Sequence, residues 1–137
     1  MGVRVKMVKC AGLSNPLGLY SHVSRIKSGT TLIFIAGQVA TDSAGALVGS
    51  DDFSAQVEQV FKNLEAALEA AEATFENVTK FTTYITRDTD IAAFMLARER
   101  IFAKIYPSGK YPPNTLLVIN RLVQPEFLIE IEAIAVS

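Results

Sequence analysis

The 137-residue chain has a single cysteine, Cys10, and a single histidine, His22. One cysteine excludes an intrachain disulfide and fits a reducing, cytoplasmic setting. A lone histidine and a distant cysteine do not supply the three or four ligands of a zinc site, so no metal is expected. They also leave a serine or thiol nucleophile without a supported base. The loops Asn15-Pro16-Leu17-Gly18 and Ser43-Ala44-Gly45-Ala46 lack the glycine spacing and the lysine of a phosphate cradle, and no cofactor is expected. Thirteen Lys and Arg stand against fourteen Asp and Glu, for a net charge of -1. Without a basic cluster there is no electrostatic footprint for nucleic acid. Apolar stretches are broken by Lys, Glu or Thr before the ~20 residues of a membrane span. Met1 to Lys6 is not followed by the apolar segment of a secretory signal, so a soluble protein is expected.

What is abundant is apolar surface. Half of the residues are hydrophobic and the mean hydropathy is positive, which is high for a small monomer and points to burial between subunits. The length fits one domain over residues 1–137, able to bury roughly 70% of its unfolded surface.

Met7 to Cys10 reads as a short strand followed by a loop through Gly18. Tyr20 to Ile26 and Thr31 to Ala36 read as two strands joined by a tight turn at Lys27-Ser28-Gly29-Thr30, a hairpin. Gly37, directly after the second, permits an unusual backbone angle or a close approach. From Phe53 to Ala73 the apolar residues recur at three and four, a helix with Asp51 and Asp52 at its start. Val78 to Thr86 is rich in β-branched and aromatic residues, a strand. Asp88-Thr89-Asp90 offers caps for a second helix, whose broad face carries Ile91, Phe94, Met95, Arg98, Ile101, Phe102 and Ile105. After Pro112-Pro113 a strand begins at Asn114. The final run, Leu128 to Val136, alternates strictly: Ile129, Ile131, Ala133 and Ala135 on one face, and Leu128, Glu130, Glu132 and Ile134 on the other. Two helices on one face of a mixed sheet of about six strands give an α+β two-layer sandwich.

Two acids set between large aliphatics suit either a polar stripe at an interface or a carboxyl with a raised pKa that moves protons. Residue spacing alone leaves both open.

Three patches resemble the YjgF/RidA family of reactive-intermediate (enamine/imine) deaminases, some members of which carry an L-PSP endoribonuclease label. They are Pro16-Leu17-Gly18-Leu19-Tyr20-Ser21-His22, Ile33-Phe34-Ile35-Ala36-Gly37-Gln38-Val39 and Ile129-Glu130-Ile131-Glu132-Ala133-Ile134-Ala135. The resemblance implies a chorismate-mutase-like fold, a homotrimer, and small-molecule clefts between subunits. It implies that Glu130 is the catalytic acid that handles the attacking water, that Tyr20 is a pocket tyrosine, and that Gly37 lines the cleft with its backbone. The position where the family binds a substrate carboxylate with arginine is Asn114. Leu116 stands where active members often have cysteine, and Ala36 where many have serine. An asparagine amide offers neutral hydrogen bonds in place of a charged fork. Ordinary 2-imino-acid hydrolysis is therefore disfavoured unless Arg25 or Arg121 reaches the cleft. Three functions follow in order: a divergent imine or enamine hydrolase, a non-catalytic trimeric binding or scaffold protein, and an endoribonuclease.

Overall fold

The computed structural model describes residues 5–27 and 30–137. The strands are β1 (Val5–Val8), β2 (Val23–Ile26), β3 (Leu32–Gln38), β4 (Val78–Ile85), β5 (Asn114–Val118) and β6 (Ile129–Val136). The helices are α1 (Phe53–Ala70) and α2 (Ile91–Ile105). Four strands form a mixed sheet in the order β3-β6-β4-β5, with β5 parallel to β4 and the other neighbours antiparallel. Both helices cover one face of it, and Val57, Val60, Leu64, Leu68 and Phe94 are buried against Ile85, Ile129, Ile131 and Ala135.

Among the described residues the expected six strands are present, but they divide into two sheets and β2 does not pair with β3 as the expected hairpin requires. β2 pairs antiparallel with β1, from Val5 opposite Ile26 to Val8 opposite Val23, whereas β3 pairs with β6. The expected turn includes Ser28 and Gly29, which lie outside the described residues. A turn-like sequence offers only a local solution, and the long apolar β6 offers β3 a fuller partner. The β1-β2 pair is tied to the main sheet by Ser24 Oγ, which donates to the Thr79 carbonyl at 2.8 Å.

α1 starts where the carboxylate of Asp52 accepts the Ala55 N–H at 3.1 Å, an N-cap. It stops before Glu72, which adopts φ 57°. The expected cap of α2 is different in kind, because the Asp90 carboxylate accepts from Arg87 Nε at 2.7 Å and caps no N–H. Gln56, buried in the α1 stripe, donates to the carbonyls of Gly49 (3.0 Å) and Glu126 (2.9 Å) and accepts from Leu128 N–H (2.9 Å). A fully satisfied buried amide thus fixes the entry to β6 two residues before Glu130. Among the described residues no helix is long and apolar enough to cross a membrane.

Candidate active site

The alternation of β6 places Ile129, Ile131, Ala133 and Ala135 under the helices and turns Glu130 and Glu132 to the open face of the sheet. On one side β4 sets Tyr84 opposite Glu130 and Thr82 opposite Glu132. On the other side the register with β3 slips between Ile35 and Gln38. Three steps along β3 there face two along β6, the mark of a bulge. Gly37 sits inside it, and a Cβ added there would stand 2.6 Å from Cδ and 2.8 Å from Cγ of Glu130. Glycine is needed at this position because the Glu130 side chain lies directly on the backbone.

Glu130 is half-buried, and among the described residues it makes no ion pair or side-chain hydrogen bond to protein. Burial raises its pKa, and the charge of Glu132 raises it further. Glu132 accepts a 2.5 Å hydrogen bond from the Tyr84 hydroxyl, whose own pKa is raised chiefly by that bond. Lys80 spends its ammonium on the Phe81 carbonyl (2.7 Å) and Thr115 Oγ1 (2.8 Å); burial lowers its pKa and Glu132 partly opposes that. The open face therefore holds a carboxyl able to take and return a proton beside a second acid already engaged.

The remaining predicted residues fall elsewhere. Ala36 is exposed on β3 next to Gly37. Asn114 Oδ1 accepts from the hydroxyl of Thr83 at 2.8 Å, and Thr83 is buried on the helix-covered face. Leu116 packs against the core from the same side. Within one chain the structure brings Glu130 and Gly37 together, while Asn114 and Leu116 turn to the other face. Tyr20 lies in the loop before β2, where its hydroxyl accepts Leu17 N–H at 3.1 Å and its ring meets His22 edge-on at 5.7 Å. That loop is anchored to the entry of β5: Ser21 N–H donates to the Pro112 carbonyl at 3.4 Å and Ser21 Oγ to the Tyr111 carbonyl.

Beside this loop lies a cation whose burial the sequence did not show. Arg98 is only 3% exposed, and its guanidinium carbon lies 5.1 Å from the Phe94 ring centre and 5.9 Å from that of Phe102. Nη2 touches Met95 Sδ at 3.1 Å, and among the described residues Nε has no hydrogen-bond partner. A Cβ on Gly18 would stand 2.8 Å from Nη2. Burial lowers the Arg98 pKa and Tyr20 partly offsets this. The usable signal was an arginine inside the apolar stripe of a helix. Of the arginines weighed from sequence, Arg25 is exposed on β2, and Arg121 donates to the Leu122 (3.0 Å) and Val123 (2.9 Å) carbonyls of its own loop.

The two-layer α+β sandwich is shared by a defined class of small proteins. The family model Endoribonuclease L-PSP matches residues 13–137. A RutC family protein of Pyrococcus horikoshii is 36% identical over 120 residues, covering 88% of each chain. Protein DfrA of Myxococcus xanthus is 31% identical over 88% of this chain and 87% of its own. The structure of the Rid family protein YyfB of Yersinia pestis, described as of unknown function, superposes with a TM-score of 0.85 at 32% identity, over 97% of this chain and 98% of that one. The chain belongs to the YjgF/RidA family, as a divergent member with Asn114 and Leu116 on β5.

Proposed function

We propose that the protein is a RidA-type hydrolase that releases ammonia from a small enamine or imine in clefts between copies of the chain. The observation that carries this reading is Glu130, half-buried against Gly37 with a raised pKa and, among the described residues, no cation paired to it. Water adds to the C=N carbon as the Glu130 carboxylate takes one of its protons and passes it to the imine nitrogen, giving a neutral carbinolamine. Glu130 then takes the carbinolamine hydroxyl proton and delivers it to the amino nitrogen as the C–N bond breaks, leaving a carbonyl and ammonia. A carboxyl whose pKa is shifted toward neutrality serves both halves of this exchange. The open sheet face supports a trimer, since Leu32, Phe34 and Leu117 are exposed there around the half-buried acids. Light scattering is expected to give three chains per particle, and a monomer at micromolar concentration would remove the cleft.

The test is ammonia release from 2-aminoacrylate generated in situ by a pyridoxal-phosphate lyase. Wild type is expected to accelerate it, and Glu130→Gln to lose on the order of 10²- to 10⁴-fold of that acceleration. No acceleration over buffer would favour the second reading, a binding protein that kept the assembly. Asn114 favours that reading, since its carbonyl oxygen is committed to Thr83.

A further inference from the structure

Glu130 and Glu132 share one face of β6, both half-buried, and the rise of a strand sets their Cα atoms roughly 6.6 Å apart. Two flexible carboxyls at that spacing can turn toward each other and share a proton, and such a pair titrates as a unit in two steps. Neither acid would then be free to exchange a proton by itself. The groups facing the pair decide whether this happens. β3 contributes no titratable residue between Leu32 and Gln38. β4 presents Lys80, Thr82 and Tyr84, with Thr115 and Leu117 of β5 beyond them. Lys80 turns its ammonium to the Phe81 carbonyl and Thr115 Oγ1, so among the described residues Glu132 makes no ion pair. The one direct side-chain hold on Glu132 comes from Tyr84 among those residues. Tyr84 stands opposite Glu130 in the strand register, yet its hydroxyl reaches along the face to Glu132 Oε1 at 2.5 Å. An aromatic side chain spans such a diagonal. A phenol has a single proton to donate, and here it is committed to Glu132.

We propose that Tyr84 is a positioning residue: by tying Glu132 back to β4 it keeps that acid out of a shared-proton pair with Glu130, and so leaves Glu130 alone to exchange protons. What Glu130 does with those protons rests on the hydrolase reading above. Tyr84 acts through Glu132 and touches no reacting atom. Two acids of the same type, two residues apart on one strand, thereby hold different duties, because one is clamped by a phenol and the other is laid on the bare backbone of Gly37.

The test is carbon-13 NMR titration of glutamate-labelled protein, comparing wild type with Tyr84→Phe, which keeps the ring and removes the hydroxyl. Wild type is expected to show one step at Glu130. Tyr84→Phe is expected to show two steps, about one pH unit or more apart, in the signals of both acids. Tyr84→Phe combined with Glu132→Gln has no second acid to share a proton, and should return to one step at the position seen in Glu132→Gln alone. In ammonia release, the acid limb of kcat/KM should move to higher pH in Tyr84→Phe, because the last proton of a sharing pair leaves later. A role confined to stability would move the urea midpoint and leave the titration and the limb in place. An unchanged single step in Tyr84→Phe would overturn the assignment. So would a double variant that departs from Glu132→Gln as far as Tyr84→Phe departs from wild type, since Tyr84 would then act on Glu130 directly. Two steps in wild type would overturn it without any variant, which keeps the test decisive if Tyr84→Phe does not fold. Split titration in Tyr84→Phe without ammonia release by wild type defeats only the hydrolase reading. Ammonia release by wild type with an unmoved titration and acid limb in Tyr84→Phe defeats only the Tyr84 assignment.

Discussion

The two faces of the main sheet solve the same electrostatic problem differently. Among the described residues, Glu130 on the open face is an acid without a paired cation, laid against Gly37, and Arg98 on the helix-covered side is a cation without a paired anion, laid against Gly18. Each charge reaches the backbone because a glycine offers no Cβ. The acid lowers its burial cost by holding a proton more tightly. The guanidinium has no such route, and its partial remedy is a pair of aromatic rings. A desolvated carboxyl is thereby suited to proton transfer, whereas the guanidinium keeps its charge between the two rings.

The largest expected effect that would break the comparison is on the Arg98 side. Phe102 lies under the guanidinium and contacts Phe61, Phe81, Tyr106 and Tyr111. Phe102→Ala should cost about 3–5 kcal/mol in urea unfolding, from lost burial and the cavity left behind. A loss below about 1 kcal/mol would mean that this cluster closes over the gap. On the Glu130 side, Gly37→Ala should cost less, near the low end of the about 1–3 kcal/mol typical of overpacking, because a side chain can swing aside more readily than a backbone. Its sharper signature is ammonia release, which should fall with the displaced carboxyl even where stability is largely kept.

The smallest effect concerns pH. Because the folded chain binds the Glu130 proton more tightly than the unfolded chain does, this group's contribution to stability is fully present below the ordinary carboxylate range. It is lost as pH rises through the raised value. Glu130→Gln removes that loss, so the variant should gain stability relative to wild type toward neutral pH, and the gap should close in acid. Urea midpoints between about pH 4 and pH 8 would read this directly. A gap that widens in acid would mean that Glu130 is stabilised as an anion.

The sequence signals that survived folding were those that depend on a residue's own neighbours. The three-and-four spacing of α1 buried Phe53, Val57, Val60, Phe61, Leu64 and Leu68 together, and the alternation of β6 turned Glu130 and Glu132 away from the core. Pairing choices were not legible, because β3 and β6 meet across about one hundred residues and a turn-like stretch after β2 looked locally sufficient. The direction of Asn114 depended on β5 running parallel to β4, which sets it beside Phe81 and within reach of Thr83. Arg98 was visible as a charge in an apolar stripe. That it lacked a partner depended on how the Gly18 loop folds over α2, which helical periodicity does not encode.

The central claim is that Glu130 titrates as a desolvated acid. Carbon-13 NMR titration of glutamate-labelled protein, assigned through Glu130→Gln, measures this most directly. The account predicts a Glu130 pKa above the ordinary carboxylate value, reduced only partly in Glu132→Gln because burial is the larger cause. A Glu130 pKa at or below the ordinary value would contradict it.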